Sequence, residues 1–294
     1  MSKFQLAGSY VALITPFTDD DQVDYAKIEE LVKWHIAEGT AGIVPCGTTG
    51  ESPTLSEEEH AKIIETVVKA AAGKIHVVGG AGANSTAKAV KLTKLCKDLG
   101  CDAVLSVIPY YNKPTQDGLY LHFKAVAEVG IPVMLYNIPG RAGGSGMTSA
   151  TIKKLYDEFP TICSVKEATG SVDFSSEIRS VCDIQIFSGD DSLTVPLMSI
   201  GGKGVVSVVA NLAPKKAAEL CKAMQNGDLA TAQKLHSELY KLCKAMFCET
   251  NPLPCKAAGA MMGKWLNNVR LPMTRMRAEN EPPLKAALQA AGLM

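Results

Sequence analysis

Eight short apolar runs, most of them separated by a longer amphipathic segment, constrain the fold of this chain more than any other feature. Each run is rich in Val and Ile and mostly lacks strict alternation, as expected of parallel strands covered on both faces. The predicted strands are residues 10–14, 42–45, 75–79, 103–108, 133–136, 162–166, 184–188 and 204–209. The predicted helices between them are residues 25–38, 57–72, 86–99, 118–129, 148–159, 174–181 and 192–200. This alternation predicts an α/β fold, a closed (β/α)8 TIM barrel.

The pattern changes after the eighth apolar run, where helical periodicity continues without further strands. The expected helices are residues 214–226, 229–246, 254–262 and 283–291. We expect the first to close the barrel and the others to form a C-terminal helical appendage. The sequence therefore predicts a barrel with the catalytic site over residues 1–226 and a C-terminal helical region over residues 227–294.

Charge and cysteine usage exclude several classes of protein. Lys plus Arg equals Asp plus Glu at 30 each, so nothing in the net charge favours nucleic acid or an anionic membrane as partner. No uncharged apolar run approaches the length of a membrane span, and the N-terminus lacks a secretory pattern. The nine cysteines include no Cys-x-x-Cys pair, and the five histidines do not cluster. We expect buried thiols, a cytoplasmic location and no metal site.

A single lysine, Lys166, ends the sixth apolar run. An ammonium is strongly hydrated, and removal of its water disfavours the charged form of a lysine and lowers its pKa. A free amine can attack a carbonyl carbon to form a Schiff base. The alternative is a strand-end lysine that extends to solvent.

Polar groups also follow the other predicted strands, at the end of a barrel where chemistry takes place. The second strand leads into Gly-Thr-Thr-Gly at residues 47–50, whose backbone amides can face an anion. The same residues are also compatible with an ordinary turn between a strand and a helix. Tyr110 and Tyr111 follow the fourth strand, Tyr136 and Arg141 the fifth. An arginine fork suits a carboxylate. An amine, hydroxyls, a tyrosine and an arginine on one rim indicate a Schiff-base site for a keto acid.

These segments resemble the dihydrodipicolinate synthase family, within the N-acetylneuraminate lyase superfamily of class I aldolases. The resemblance runs from about residue 8 to the C-terminus and lies in the motifs Gly-Thr-Thr-Gly-Glu-Ser (47–52), Pro-Tyr-Tyr-Asn (109–112), Tyr-Asn-Ile-Pro-Gly-Arg (136–141), Val-Lys-Glu-Ala-Thr-Gly (165–170), Ser-Gly-Asp-Asp (188–191) and Glu-Thr-Asn-Pro-Leu-Pro (249–254). It implies a lyase that condenses pyruvate with L-aspartate 4-semialdehyde to 4-hydroxy-tetrahydrodipicolinate, the first committed step of lysine and diaminopimelate biosynthesis, without a cofactor.

The resemblance also implies roles for individual residues. Lys166 would form the imine with pyruvate, and Thr49, Tyr136 and Tyr111 would relay protons, with Tyr111 reaching a neighbouring subunit. Thr48 and Thr49 would hold the pyruvate carboxylate, and Arg141 would bind the carboxylate of the semialdehyde. Gly189 and Val206 would line the pyruvate pocket, where many relatives have isoleucine in place of Val206.

Two further properties follow from the same resemblance. Relatives are commonly homotetramers built as a dimer of dimers, and many bind lysine at the dimer interface as a feedback inhibitor. The matching positions here are Ser52, Pro53, Glu57, His60, Asn84, Lys88 and Tyr110. Pro53, Glu57 and Lys88 depart from the sensitive pattern, and Lys88 would repel the ligand by about 1–3 kcal/mol in a partly buried cleft. We expect weak feedback, with Glu57 as a partial compensation.

Two alternative functions remain open at this point. The first is another pyruvate aldolase of the superfamily, an N-acetylneuraminate lyase or a keto-deoxy-sugar-acid aldolase; Arg141 and the paired tyrosines favour the shorter product. The second is a barrel that binds a keto acid without catalysis. The complete set of lysine, tyrosine and threonine argues against the second.

Overall fold

The computed structural model describes residues 3–294, so Met1 and Ser2 of the expected barrel segment lie outside the described residues. Within residues 3–294, eight parallel strands form a closed barrel in sequence order. They are β1 (Gly8–Ala12), β2 (Gly42–Val44), β3 (His76–Gly80), β4 (Ala103–Val107), β5 (Val133–Asn137), β6 (Ile162–Glu167), β7 (Gln185–Ser188) and β8 (Gly204–Ser207). The predicted TIM barrel is confirmed.

Two glycines allow the last strand to meet the first. Gly8 pairs with Gly204 where β8 closes onto β1. A Cβ at Gly204 would lie only 1.9 Å from the carbonyl oxygen of Gly8. The φ angle of Gly204, +154°, is also one that L side chains rarely adopt. The closure therefore requires glycine, and β1 starts at Gly8 rather than at the apolar run predicted from residue 10.

The helices follow the predicted order, and their bounds differ from the predictions by a few residues. They are α1 (Tyr25–Ala37), α2 (Glu57–Ala71), α3 (Thr86–Asp98), α4 (Gln116–Ala127), α5 (Ser149–Glu158), α6 (Val172–Val181), α7 (Thr194–Ser199), α8 (Pro214–Gln225), α9 (Leu229–Ala245), α10 (Leu253–Met261) and α11 (Glu281–Ala290). Ser56 and Glu59 form a capping box at the start of α2, which satisfies two otherwise unpaired backbone donors. Helix α2 begins at Glu57, as predicted.

Alternate residues of the strands face two separate apolar clusters. One cluster fills the barrel and includes Tyr10, Val44, Leu105 and Phe187. The other fills the space between the barrel and the helices and extends under the C-terminal helices. Because successive side chains of a strand point to opposite faces, each strand contributes to both clusters. The side chains at the ends of the strands are thereby held on a rigid frame.

The C-terminal helices pack closely against this frame. The Nζ atom of Lys216 on α8 lies 2.8 Å from Glu238 on α9 and donates to the carbonyl of Ala291. Arg270 makes a two-pronged contact with Glu59 on α2, at 2.7 Å for each nitrogen. The proposed division at residue 226 stays a prediction.

None of the helices within residues 3–294 is both long and apolar enough to cross a membrane. In the same part of the chain no group of three or more His, Cys, Asp or Glu side chains is placed to hold a metal ion.

Candidate active site

Lys166 lies near the C-terminal end of β6, with its side chain almost fully buried at 5% exposure. It pairs in register with Tyr136 on β5 and Phe187 on β7. Its Nζ atom lies 4.4 Å from the centre of the Tyr136 ring, a distance at which the ring face attracts an ammonium. The alternative of a lysine extending into solvent is wrong for this side chain.

Lys166 borders a small cavity of about 70 Å³ at the C-terminal rim of the barrel. The cavity brings together most of the residues predicted for the site. These are Thr48, Thr49, Tyr136, Arg141, Lys166 and Gly189. They come from the ends of four different strands, as expected of an active site in a TIM barrel.

Hydrogen bonds hold the loop that carries the two threonines in a compact form. The Glu51 amide donates to the carbonyl of Thr48 at 3.1 Å, and the Ser52 amide donates to that of Gly47 at 3.3 Å. Thr49 is buried, and its Oγ1 atom accepts a hydrogen bond of 2.9 Å from the Nδ2 of Asn251. The loop therefore presents its hydroxyls from a fixed backbone.

Gly189 follows β7 and passes very close to the end of β6. Its amide donates to the carbonyl of Glu167 at 2.7 Å. A Cβ at this position would lie 2.5 Å from the Cβ of Ala168. Glycine thus brings the two strand ends together beside Lys166, and a larger residue would push them apart.

Three carboxyl groups lie behind and beside Lys166. Burial raises the pKa of Asp190, which lines the cavity, and the positive charge of Lys166 opposes that rise. Burial also raises the pKa of Asp191, whose carboxylate accepts from the Ser207 hydroxyl and the Val208 amide. Burial again raises the pKa of Glu167, despite hydrogen bonds from Thr169 and Asn137. Desolvation of the carboxylate is the main cause in each case.

Two of the residues predicted for the active site, Tyr111 and Val206, do not line this cavity. Tyr111 is 90% exposed and has a φ angle of +69°, a strained backbone for a tyrosine. Val206 is buried in the cluster inside the barrel, and Val208 lines the cavity instead. The exposed ring of Tyr111 leaves it free to contact another molecule.

The sequence reading missed the contributions of the C-terminal region. Asn251 and Phe247 line the cavity although they follow the barrel in sequence. A buried ion pair joins Lys256 on α10 to Glu51, directly after the threonine loop. The motif at residues 249–254 is part of the family resemblance, but no local pattern in the sequence places it at the site.

A second, larger cavity of about 320 Å³ lies on the other side of the threonine loop. It is lined by six of the seven positions considered for lysine binding, namely Ser52, Pro53, Glu57, His60, Lys88 and Tyr110. Asn84 does not line it; its carbonyl accepts from the side chain of Asn112 at 2.8 Å.

The charged groups of this second cavity are arranged differently from those of the first. Glu57 forms an ion pair of 2.6 Å with Lys91, a residue outside the predicted set. Burial lowers the pKa of His60, and the charge of Lys88 lowers it further. His60 contacts the carbonyl of Gly80 at 2.9 Å through Nε2.

The fold and the small cavity define a TIM-barrel protein with a buried lysine facing an aromatic ring and two threonines. The Dihydrodipicolinate synthetase family model matches residues 5–291. The chain belongs to this family. It is 46% identical over 293 residues to the 4-hydroxy-tetrahydrodipicolinate synthase of Nitratidesulfovibrio vulgaris strain DP4, covering 99% of this chain and 100% of the relative.

Solved structures agree with this assignment. The chloride-inhibited dihydrodipicolinate synthase of Acinetobacter baumannii, in complex with pyruvate, has a TM-score of 0.96 at 43% identity, covering 99% of this chain and 100% of that one. The enzyme of Cyanidioschyzon merolae with lysine bound has a TM-score of 0.94 at 40% identity. The match covers 98% of this chain and 99% of that one.

Proposed function

We propose that this chain condenses pyruvate with L-aspartate 4-semialdehyde to 4-hydroxy-tetrahydrodipicolinate, the first committed step of lysine and diaminopimelate biosynthesis. The observation that carries the proposal is Lys166, a buried primary amine 4.4 Å from the Tyr136 ring in a cavity that also holds two threonines and an arginine. Family membership and the names of the relatives support the same reaction.

In the first half of the reaction, the Nζ of Lys166 attacks the keto carbon of pyruvate. Loss of water gives an iminium, which withdraws electrons, so that a methyl proton leaves and an enamine forms. The backbone amides beside Thr48 and Thr49 are suited to the pyruvate carboxylate, because amide donors in a tight glycine-bracketed loop favour an anion.

In the second half, the enamine carbon attacks the aldehyde carbon of the semialdehyde, and the new alkoxide takes up a proton. Arg141, which lines both cavities, is suited to the carboxylate of this substrate. The amine of the bound substrate then attacks the imine carbon, which closes the ring and releases Lys166. Tyr136 and Thr49 would carry the protons, because hydroxyl groups can both donate and accept.

We infer that Tyr111 completes the relay in a neighbouring subunit and that the chain assembles as a homotetramer, a dimer of dimers. The support is the 90% exposure of Tyr111 on a strained backbone, a conformation that persists where the surroundings or a partner hold it. Dilution to monomers is expected to abolish turnover while the circular dichroism of the barrel is retained; an active monomer would contradict the shared site.

We also infer weak inhibition by lysine. Lys88 lines the larger cavity and carries the same charge as the ammonium groups of the ligand. Glu57, the carboxylate that would offset it, is paired with Lys91. An inhibition constant below about 0.1 mM, tighter than about −5.5 kcal/mol of binding free energy, would contradict this inference.

A cytoplasmic location stays a prediction. The nine cysteines, all within residues 3–294, are free thiols, which suits a reducing compartment.

Borohydride trapping tests the proposed chemistry directly. With pyruvate and reductant, mass spectrometry is expected to find a lactyl adduct on Lys166, and none after Lys166→Arg. An absent adduct would favour a barrel that binds keto acids without catalysis. Turnover of sialic acid or a keto-deoxy sugar acid in preference to the semialdehyde would favour another aldolase of the superfamily.

A further inference from the structure

Asp190 differs from the other two carboxyl groups near Lys166, because its side chain has no partner within residues 3–294. Glu167 accepts hydrogen bonds from a side-chain amide and a backbone amide, and Asp191 accepts from a hydroxyl and two backbone amides. The amide of Asp190 donates to the Oγ of Ser188 at 3.2 Å, and its carbonyl accepts from that hydroxyl at 2.7 Å. These bonds hold the backbone and leave the carboxylate unpaired.

The unpaired carboxylate belongs to the smaller cavity. Asp190 is half-buried, and it is the one acidic residue among the described residues that line this cavity. Burial disfavours its charged form, while the positive charges of Lys166 and Lys244 favour it. Removing a carboxylate from water without a partner in the protein is unfavourable. The arrangement therefore suits a cationic group of a bound molecule.

Asp190 and Arg141 lie on either side of Lys166 at the rim. Strand β6, which carries Lys166, pairs with β5 on one side and with β7 on the other. Arg141 follows β5 and Asp190 follows β7, and both residues line the cavity. The cavity thus presents one cation and one anion on the two sides of the reactive amine. An α-amino acid carries the complementary pair of charges on a single carbon atom.

The second substrate of the proposed reaction is such an amino acid. Its carboxylate is suited to Arg141. Its nitrogen must lie close to Lys166, because the same atom has to reach the imine carbon when the ring closes. In the enamine the Lys166 nitrogen is neutral, so the positive charge that faced Asp190 in the free enzyme is lost. The incoming ammonium replaces that charge.

We propose that Asp190 binds the ammonium group of the aldehyde substrate and takes one of its protons before the ring closes. The proposal rests on the proposed function, since it assigns the group that recognises the second substrate at the same site. Asp190 is then a catalytic residue that selects aldehydes with an α-amino group.

The proton transfer turns the substrate nitrogen into a nucleophile, and the raised pKa of the half-buried Asp190 favours it. The freed lone pair forms a bond to the iminium carbon, and the π electrons move to the Lys166 nitrogen. Asp190 passes its proton to that nitrogen and accepts one from the ring nitrogen. The bond from carbon to Lys166 breaks with its electrons on the lysine. The ring nitrogen forms the double bond and gives its last proton to the lysine amine, and Asp190 loses its proton to water.

Asp190→Asn keeps the shape of the side chain and removes its charge. We expect kcat/KM for L-aspartate 4-semialdehyde to fall about 30- to 100-fold, a moderate loss for a charge pair because the side chain is only half-buried. Succinate semialdehyde is the same aldehyde acid without the amino group. Its inhibition constant, measured in competition with L-aspartate 4-semialdehyde, is expected to change less than about threefold.

Two further variants control for charge and for structural damage. Asp183→Asn makes the same chemical change at an exposed residue just before β7 and is expected to keep kcat/KM within about twofold of the wild type. Asp190→Glu keeps the carboxylate on a longer side chain, and its kcat/KM is expected to lie between those of the wild type and Asp190→Asn.

Borohydride trapping with pyruvate alone separates this proposal from the one on which it rests. We expect the lactyl adduct on Lys166 in the wild type and in Asp190→Asn. An unchanged kcat/KM in Asp190→Asn, or an equal loss of affinity for both aldehydes, would overturn the role of Asp190. A missing adduct in Asp190→Asn alone would overturn it too, because the carboxylate would then act on Lys166. No adduct in the wild type would overturn the proposed function itself.

Discussion

The two cavities on either side of the threonine loop share a wall but are built differently. Thr48, Ile138, Arg141 and Asn251 line both of them. The smaller one is formed mainly by strand ends and contains the buried Lys166. The larger one is formed by the start of α2, the loop before it and part of α3, and its charged residues include the exposed Lys88.

The two cavities also differ in how firmly their side chains are held. In the smaller cavity strand register holds Lys166 and Tyr136, and a close backbone approach holds Gly189. In the larger cavity Glu57 and Lys88 project from helix surfaces, where a change of charge costs little stability. Charge changes in the larger cavity are therefore expected to leave the smaller cavity intact.

The largest expected effect separates the two cavities by their lysines. Lys166→Met is expected to lower kcat about 10⁴-fold or more, about 5.5 kcal/mol in activation free energy, because no other amine can form the imine. Lys88→Met, in the other cavity, is expected to change kcat less than twofold. Steady-state assays of both variants check this, and comparable losses would erase the distinction.

The next effect concerns the ion pair behind the shared wall. Burial lowers the pKa of Lys256, although Glu51 opposes that shift. Lys256→Met leaves the buried Glu51 without its ion-pair partner, with only the Arg270 amide donating to it among residues 3–294, and is expected to cost about 3–5 kcal/mol in the free energy of unfolding. Lys216→Met, which breaks the half-exposed pair with Glu238, is the matched control, expected to cost about 0–1 kcal/mol.

Denaturant or thermal unfolding measures both variants. Combining Lys256→Met with Glu51→Gln is expected to recover part of the loss, because the buried charge is then removed as well. A Lys256→Met enzyme as stable as the control would show that this pair does not hold the loop.

A smaller effect is expected from reversing the charge at position 88 in the larger cavity. Lys88→Glu replaces repulsion of the lysine ammonium by attraction. Lys88 is exposed, so water weakens both the present repulsion and the new attraction. We expect lysine to bind about 1–2 kcal/mol more tightly, which lowers the inhibition constant roughly 5- to 30-fold. Inhibition assays with lysine, with Lys94→Glu on the same helix as control, measure this change; unchanged inhibition would separate the cavity from regulation.

The smallest effect concerns the response of the two cavities to acid. Because the pKa of His60 is lowered in the native protein, the unfolded chain binds a proton first as the pH falls below about 6.5. The free energy of unfolding then falls, by about 1.4 kcal/mol for each pH unit by which the pKa of His60 is lower in the folded protein than in the unfolded chain. The carboxyls near Lys166 have raised pKa values, so acid relieves the cost of burying their charge.

His60→Asn is expected to flatten the loss of unfolding temperature between pH 7 and pH 5. His236→Asn on α9 is the control. Removing the Lys88 charge is expected to raise the pKa of His60, which NMR titration of its ring can follow. Equal acid sensitivity in the His60 variant and the wild type would assign that response to other groups.

The sequence by itself determined the barrel, its eight strands and the position of Lys166. These features depend on local patterns. An apolar run, the 3.6-residue periodicity of a helix or an isolated charge can each be recognised within about ten residues of sequence. The ends of β2, β5, β6 and β7 meet at one rim in any parallel barrel, so Thr49, Tyr136 and Arg141 could be predicted together.

Only the tertiary structure decided what holds those residues. The bond from Asn251 to Thr49 and the pair of Lys256 with Glu51 join parts of the chain that are about 200 positions apart. Nothing in the local pattern around residue 251 or 256 indicates which loop it will meet, because the packing of the C-terminal helices over the rim brings them together. The exposure of Tyr111 and the burial of Val206 inside the barrel were settled in the same way, by the direction of each side chain in the folded barrel.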